Sequence, residues 1–238
     1  MKLSDIKNGN LSAEWAEKGY ELPKFDVEAV KAKTHAEPTW VHFGAGNIFR
    51  AFPAAILNEA LNSGKYDRGV IVAESFDYEI IDKAYQPYDN LSLLVCLKST
   101  GEIEKKVVAS VTESLKADPS FTEDWARLVE IFQNPSLQMI SFTITEKGYA
   151  IQNDAHDFLP DYKADMESGP DACHSFFGKL ASLCLSRVRA GLAPLALVSL
   201  DNCSDNGVRL ERAMRYMTQA WMQHGFITED EYFALIKK

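Results

Sequence analysis

The sequence predicts a doubly wound α/β fold with a mainly parallel sheet, helices on both faces and one antiparallel hairpin. Short runs of nearly continuous apolar residues, such as Leu195–Leu200, recur along the chain and are typical of strands that are buried on both faces. Amphipathic helical patterns, such as the one over Ser120–Phe132, separate these runs. Because buried strands that alternate with amphipathic helices form parallel sheets, this pattern favours the doubly wound class. The 238 residues are enough to bury a sizeable core.

The predicted elements follow one another along the chain. Residues 1–38 are interpreted as an N-terminal arm with one short helix at Ser12–Lys18, and residues 39–238 as the domain itself. Strands are predicted at Trp40–Phe43, Gly69–Ala73, Leu137–Thr145 and Leu195–Leu200, with an antiparallel hairpin formed by Leu91–Leu97 and Lys106–Val111. Helices are predicted at Asn47–Leu61, Asp77–Tyr85, Ser120–Phe132, His174–Ala190 and Gly207–His224. Pro53 is expected to bend the first of them, and residues 150–170 are predicted to be a polar loop.

Charge and composition argue against several classes of function. The chain has 34 acidic and 25 basic residues and a net charge of −9, so long-range repulsion argues against a nucleic acid partner. No run approaches the roughly 18 apolar residues of a membrane helix, and no signal peptide is recognisable, which predicts a soluble, cytoplasmic protein without a membrane partner. The histidines form no short-range cluster, so we expect no metal site. The four cysteines form no C-x-x-C pair and are expected to be reduced.

A glycine turn follows the first predicted strand. Gly44 permits a tight turn, Gly46 allows the backbone to approach a pyrophosphate, and the amides that open the next helix favour negative charge. Phe49 stands where a third glycine is expected, so the strict G-x-G-x-x-G pattern fails. An ordinary strand–helix turn is therefore an open alternative. The predicted cofactor-binding residues of this turn are Gly44, Ala45, Gly46, Asn47, Ile48, Phe49 and Arg50.

An acidic residue ends the second predicted strand. Glu74 lies 28 residues after Gly46, a longer spacing than the usual value of about 20, because the first helix is long. A carboxylate at this strand end accepts hydrogen bonds from both ribose hydroxyls of an adenosine and repels a 2′-phosphate. No basic residue follows until Lys83. The sequence therefore predicts NAD rather than NADP as the cofactor.

Two later strands are each followed by a polar segment. Glu146 lies in TITEKGY, where it can carry protons or order water, and Asn202 lies in SLDNC, where its amide can donate to a carbonyl oxygen that gains negative charge. Ligands of open α/β sheets bind at the carboxyl ends of strands, so both residues are candidate catalytic groups. The alternatives are a solvated loop for the first segment and an ordinary turn and N-cap pair for the second.

Three segments together resemble one family. HFGAGNIFRAF at 42–52, SFTITEKGY at 141–149 and SLDNCSDNG at 199–207 are similar, in order and spacing, to the N-terminal domain of the long-chain mannitol dehydrogenases. This family includes mannitol 2-dehydrogenase, fructuronate reductase and tagaturonate reductase. The resemblance implies a Rossmann-type domain that binds NAD, with Gly44, Gly46 and Arg50 in the cofactor turn and Glu74 at the acidic strand end. It also implies a glutamate linked to proton movement at Glu146 and a carbonyl-polarising asparagine at Asn202.

The resemblance also implies a reaction and a missing part. The reaction is reversible hydride transfer between NAD(H) and a secondary carbinol of a linear polyol or sugar acid, without a metal. The general base of the family is a lysine in an all-helical C-terminal domain, five residues before an asparagine. No asparagine in this chain has a lysine at that spacing, so we expect the C-terminal domain to be absent from the chain. Phe49 and Phe52 replace histidines that are common in the family's turn, and Lys147 is closer to the uronate reductases than to the mannitol enzymes.

The substrate and the class of function stay open at this point. The resemblance favours a substrate of the D-mannonate/fructuronate type, or mannitol/fructose. The alternative is a non-catalytic dinucleotide-binding module or a truncated, inactive fragment. Tyr20 and Lys24 have the spacing of a short-chain dehydrogenase pair, but they precede the glycine turn and are interpreted as a coincidence. His42 is interpreted as a strand residue and not as an acid or base.

Overall fold

The computed structural model of the protein describes residue 3 and residues 13–236. The chain divides into two compact units, Met1–Leu115 and Lys116–Lys238. No helix in the described part is both long and apolar enough to span a membrane. Parallel strand pairs and helices make up both units, so the predicted α/β class is confirmed.

Unit 1 contains parallel and antiparallel strand pairs. Its helices and strands are α1 (Ala13–Glu17), β1 (Tyr20–Glu21), α2 (Val27–Ala36), β2 (Trp40–Phe43), α3 (Asn47–Ala51), α4 (Pro53–Asn62), β3 (Val70–Glu74), β4 (Ser92–Leu97), β5 (Ile103–Val108) and β6 (Val111–Lys116). β3 lies between β6 and β2, and β2 and β3 are parallel, with Val41 opposite Ile71. In a separate sheet β5 pairs with β1 in parallel and with β4 antiparallel, which confirms the predicted hairpin.

The helix predicted over Asn47–Leu61 is interrupted once. α3 ends at Ala51 and α4 begins with Pro53, while Phe52 between them adopts φ −125° and ψ −73°. Proline has no N–H to donate and its ring crowds the preceding turn, so it opens a new helix instead of lying inside one. The predicted bend is therefore confirmed. The helix predicted at Asp77–Tyr85 is mainly a π-helical turn at Ile81–Tyr85.

The core of unit 1 includes a segment that the sequence pattern placed in an arm. Val30 of α2 is buried in one cluster with Phe49 and Leu57. The pattern did not predict α2, whose N-cap is Asp26. Because α2 has many charged residues and few large apolar ones, its sequence shows no clear helical periodicity. α1 agrees with the predicted helix at Ser12–Lys18, although Ser12 lies outside the described residues. The domain boundary at residue 39 stays a prediction.

Unit 2 is built on one parallel strand pair. Its helices and strands are α5 (Thr122–Phe132), β7 (Met139–Phe142), α6 (Thr145–Gly148), α7 (Pro160–Ser168), α8 (Phe176–Arg189), β8 (Ala196–Ser199), α9 (Asn206–Gln223) and α10 (Glu229–Ile236). Ile140 of β7 lies opposite Leu197 of β8. Arg187 of α8 holds the segments that lead into both strands, because its guanidinium donates to the carbonyl oxygens of Leu137 and Ala193 at 3.2 and 2.6 Å.

Two predictions for unit 2 are wrong. Residues 150–170 are not only a polar loop, because α7 forms there and buries Tyr162 and Met166. Its inward face has few apolar residues, so the sequence shows no clear helical period. The strand predicted to reach Thr145 ends at Phe142, and Thr145 has a φ of +63° and begins α6. A strand cannot continue through that left-handed conformation.

Candidate functional site

The glycine turn of unit 1 connects β2 to α3 as the sequence predicts. Gly44 has a φ of +111°, which strongly favours glycine, and its N–H donates to the carbonyl of Ala73 at 2.9 Å. Gly46 is the N-cap of α3 and is exposed. A Cβ atom added to Gly46 would meet no atom within 4 Å. The backbone at Gly46 is therefore open to close approach by a ligand, and the fold itself does not need a glycine there.

Glu74 at the end of β3 is bonded to the glycine turn. Its Oε2 accepts the N–H of Ala45 at 2.8 Å, and its Oε1 accepts the N–H groups of Ser75 and Phe76, both at 2.9 Å, and that of Asp77 at 3.3 Å. The residue is only 8% exposed. The structure thus brings Glu74 and the predicted turn together. The sequence pattern predicts that Glu74 binds a ribose, which stays a prediction, but it did not reveal that Glu74 fixes the turn.

Arg50 lies beside the turn with an unused donor. Its Nη2 donates to Asn47 Oδ1, and its guanidinium carbon lies 5.6 Å from the ring centroid of Tyr85. Tyr85 donates to the carbonyl of Ala45 at 2.9 Å, and burial raises the pKa of its phenol, so the hydroxyl stays protonated. Within the described residues, Arg50 Nε is buried and has no hydrogen-bond partner. This donor and the open backbone at Gly46 fit an anionic group such as a pyrophosphate.

Phe49 and Ile48, the other two apolar residues of the predicted turn, differ in burial. Phe49 is fully buried, and its ring stacks on the imidazole of His42 with 4.1 Å between centroids. The prediction that Phe49 contacts a cofactor therefore needs correction for its side chain, which belongs to the core. Burial lowers the pKa of His42 to about 3, so this imidazole is neutral at pH 7, in keeping with a strand residue. Ile48 is exposed next to Gly46 and Asn47.

The two polar segments of unit 2 are joined by one carboxylate. Asp201, after β8, accepts the N–H of Ile144 at 3.0 Å through Oδ2 and the N–H of Thr145 at 2.9 Å through Oδ1. Tyr149 also donates to Asp201 Oδ2 at 2.9 Å, and its hydroxyl lies 2.6 Å from Ser199 Oγ. Burial raises the pKa of the Tyr149 phenol. The two polar segments therefore lie next to each other, and Asp201 and Tyr149, which join them, are among the residues that the sequence reasoning missed.

Glu146 and Asn202 are both presented outward at these segments. The side chain of Glu146 is 67% exposed, and its Oε1 accepts a hydrogen bond from Arg209 Nη1 of α9 at 3.0 Å. Asn202 directly follows Asp201 and is exposed. Over residues 13–236 its side-chain amide forms no hydrogen bond, which leaves its N–H groups available to a ligand.

The described residues form neither a candidate metal site nor a disulfide. Among the described residues, no three His, Cys, Asp or Glu side chains are grouped so that they could hold a metal ion. The cysteines, of which Cys173 is buried, are all free thiols. The glycine turn of unit 1 and the polar segments of unit 2 therefore offer hydrogen-bonding groups to a ligand.

A glycine turn after a parallel strand, tied to the acidic end of the neighbouring strand, is the arrangement of the dinucleotide-binding Rossmann folds. Residues 38–230 match the family model of the mannitol dehydrogenase Rossmann domain. The chain therefore belongs to the mannitol dehydrogenase family, which confirms the resemblance seen in its three motifs.

Two relatives are similar to this chain in sequence, and one solved structure is similar to it in fold. The chain is 48% identical over 218 residues to D-mannonate oxidoreductase of Thermotoga maritima, covering 92% of this chain and 40% of the relative. It is 30% identical over 185 residues to D-arabinitol 4-dehydrogenase of Ralstonia nicotianae, and the match covers 75% of this chain and 38% of that relative. A structure of Pseudomonas fluorescens mannitol 2-dehydrogenase, described as a ternary complex with NAD and D-mannitol, aligns with 93% of this chain and 43% of that chain. Its TM-score is 0.73 at 22% identity, which shows a shared fold.

The coverage of the relatives is partial. The chain spans about 40% of the length of the D-mannonate oxidoreductase and 38% of the D-arabinitol dehydrogenase that it matches. The family assignment therefore applies to a Rossmann domain.

Proposed function

We propose that the chain is the NAD(H)-binding part of a dehydrogenase that acts on a secondary carbinol of a linear polyol or sugar acid. The observation that carries the cofactor assignment is the glycine turn, where Gly46 is open and Arg50 Nε lacks a partner. The substrate class is supported by the relative at 48% identity, which is named D-mannonate oxidoreductase. A sugar acid of the D-mannonate/fructuronate type is accordingly our first choice, and mannitol/fructose is the second.

The residues of unit 1 have separate tasks in cofactor binding. The open backbone at Gly46 and the guanidinium of Arg50 bind the pyrophosphate, and Asn47 keeps that guanidinium in place. Gly44 and Ala45 shape the turn, because their N–H groups already donate to Ala73 and Glu74. Glu74 accepts the ribose hydroxyls and disfavours a 2′-phosphate, as a carboxylate at this strand end does in other Rossmann folds. Bound NAD(H) supplies the hydride chemistry, which no side chain can provide.

The residues of unit 2 serve the substrate. Asn202 donates an amide N–H to the carbonyl oxygen, where negative charge grows during reduction. Glu146 exchanges protons between the active site and solvent, in keeping with its exposure. The family's lysine base has no counterpart at the expected spacing in this chain, so we propose that a C-terminal domain of a longer polypeptide completes the active site. The free cysteines fit a protein that works in the reducing cytoplasm.

A second candidate is a non-catalytic module that holds the dinucleotide as a ligand. It needs only the cofactor site at the glycine turn and no general base. The two candidates share the cofactor site and differ only in turnover, so activity distinguishes them.

Two measurements test the proposal. Calorimetry of this chain with NADH, NADPH and ADP is expected to show weak binding that is tighter for NADH than for NADPH. Binding of an unrelated nucleotide without any binding of millimolar NADH would refute the cofactor assignment. The longest natural polypeptide that contains this chain is then assayed with D-mannonate, D-altronate, D-mannitol and D-arabinitol. We expect the highest kcat/KM for D-mannonate, whereas NADH binding without turnover of any of the four would favour the module.

A further inference from the structure

We propose that Asp201 and Arg209 are positioning residues that together hold Glu146 in its working place. The inference rests on the proposed function, in which Glu146 moves protons, and it assigns the residues that present that carboxylate. Asp201 fixes the main chain just before Glu146, and Arg209 fixes the side chain. All three residues lie in unit 2.

The main-chain contact acts on a left-handed residue. Thr145 has a φ of +63°, a conformation that a β-branched residue rarely adopts. The N–H of Thr145 and the N–H of Ile144 both donate to the carboxylate of Asp201, one to each oxygen. Two bonds from neighbouring amides to one planar acceptor fix the orientation of the peptide between them. Since Glu146 is the next residue, fixing this peptide restricts the direction from which the chain enters Glu146.

The same carboxylate also holds the far end of the segment. Tyr149 donates to Asp201 Oδ2 at 2.9 Å and is in contact with Ser199 Oγ at 2.6 Å. The backbone around α6 is thus attached to β8 and the turn after it on both sides of Glu146. The main chain of Asp201 is fixed in turn, because the side-chain amide of Asn206 donates to its carbonyl oxygen at 2.9 Å.

The side-chain contact comes from a different element. Arg209 lies in α9 and donates to Glu146 Oε1 at 3.0 Å, although Glu146 is two-thirds exposed. A glutamate with that exposure normally samples several rotamers, and an ion pair of two exposed long side chains gains little stability. The value of this pair therefore lies in orientation. Arg209 selects one placement of the Glu146 carboxylate without blocking its access to solvent.

The enzyme test uses the longest natural polypeptide that contains this chain and the substrate with the highest kcat/KM. Arg209→Ala is expected to lower kcat about tenfold, to leave the KM for substrate and NADH unchanged, and to increase the solvent deuterium isotope effect on kcat, because proton transfer becomes slower. Arg209→Lys is expected to restore much of the rate. Asp201→Asn is expected to act in the same direction as Arg209→Ala. A merely structural loss would reduce the active fraction and leave isotope effects unchanged.

The matched control is Arg215→Ala. Arg215 lies in the same helix and donates to a glutamate, Glu211, at 2.8 Å, so both variants lose one arginine and one ion pair. Arg215→Ala is expected to match the wild type. Glu146→Gln separates the two proposals. A slow Glu146→Gln enzyme beside an unaffected Arg209→Ala enzyme would overturn the positioning role alone, while an unaffected Glu146→Gln enzyme would refute the role of Glu146 in the proposed function.

A second measurement needs no turnover. In NMR spectra of this chain, Arg209→Ala is expected to shift the side-chain carboxyl signal of Glu146 and to increase its mobility, and Asp201→Asn is expected to move the amide signals of Ile144 and Thr145. Arg215→Ala is expected to leave these signals in place. Unchanged signals in Arg209→Ala and Asp201→Asn would overturn the proposal whatever the enzyme assay shows.

Discussion

Glu74 in unit 1 and Asp201 in unit 2 occupy matching positions in their strand pairs. Each carboxylate comes at the carboxyl end of a strand and accepts N–H groups from the loop that follows the neighbouring parallel strand. Glu74 ends β3 and binds Ala45 after β2, and Asp201 follows β8 and binds Thr145 after β7. In parallel sheets the loops after neighbouring strands leave from the same edge, which explains why a carboxylate can reach across in both units.

The two carboxylates differ in what they hold. The hydrogen bonds of Glu74 all come from backbone amides, and the residue is almost fully buried, so it fixes the main chain of the glycine turn as a frame. Asp201 is half-buried and also binds the hydroxyl of Tyr149, and the segment that it holds presents the exposed Glu146. The same device, a carboxylate between two strand ends, thus fixes a buried glycine turn in unit 1 and a segment with an exposed glutamate in unit 2.

The largest effect is expected from Glu74→Ala. The change removes a charged acceptor and leaves amides such as that of Ala45 without their partner, at a cost of about 3 kcal/mol, since hydrogen bonds to charged groups contribute about 1.5–3 kcal/mol each. Urea unfolding followed through NMR signals of unit 1 measures this loss. NADH affinity in calorimetry is expected to fall more than tenfold, and the preference for NADH over NADPH is expected to relax. Glu79→Ala is the control, because Glu79 pairs with Lys83 on the surface. A loss as small as in this control would contradict the role of Glu74 in the frame.

The second prediction concerns how the free energy of unfolding of unit 1 depends on pH. Burial lowers the pKa of His42 in unit 1 to about 3, from an ordinary value near 6.5. Below pH 6.5 the imidazole of His42 is protonated in the unfolded chain but stays neutral in the folded chain. Its contribution to the free energy of unfolding is therefore complete above pH 6.5 and is lost as the pH falls toward 3. At 1.36 kcal/mol per unit, the loss is roughly 2 kcal/mol at pH 5. In unit 2 the histidines are exposed, so none of them is buried in the way His42 is. His42→Gln is expected to remove this pH dependence in urea unfolding, and an equally steep curve in the variant would refute the assignment.

A smaller and local effect is expected from Asp201→Ala. The amides of Ile144 and Thr145 lose their acceptor, so their hydrogen exchange is expected to accelerate about tenfold, which corresponds to about 1.4 kcal/mol of local opening. Exchange in the buried strand β7 is expected to stay unchanged. Asp154→Ala removes an exposed carboxylate and serves as the control. Equal acceleration in both variants would mean that Asp201 does not hold this segment.

The smallest effect on stability is expected from Gly46→Ala. A Cβ at Gly46 meets no atom within 4 Å, and the same is true at Gly207 in α9, so each substitution is expected to change the free energy of unfolding by less than about 0.5 kcal/mol. NADH binding is expected to weaken at least tenfold in Gly46→Ala, because the methyl group takes the space that a ligand needs, and to stay unchanged in Gly207→Ala. Equal NADH affinity in the two variants would place the cofactor elsewhere.

Much of the fold was predictable from local patterns. β2 lies at its predicted residues, Trp40–Phe43, because four apolar or aromatic residues before a glycine specify a buried strand. The break before Pro53 follows from the missing N–H of proline. α7 was not predictable, because Tyr162 and Met166 are buried in a segment that is otherwise polar. Its helical form depends on contacts with other elements and not on its own period.

The candidate site divides in the same way. The sequence pointed to Gly44, Gly46, Glu74, Glu146 and Asn202 because their segments follow recognisable strands. It did not show that Phe49 belongs to the core, because only packing decides which face of a short helix is covered. It also missed Tyr85 and Arg209, whose partners Ala45 and Glu146 are 40 and 63 residues away along the chain.

The sequence by itself determined the α/β class, the glycine turn and the two polar segments, because each is written in a few contiguous residues with a local physical meaning. Only the tertiary structure decided which of these residues meet. Ala45 and Glu74 are 29 residues apart, and Thr145 and Asp201 are 56 apart. Parallel pairing brings the strand ends together over such separations, and side-chain length then selects the amides that each carboxylate can reach.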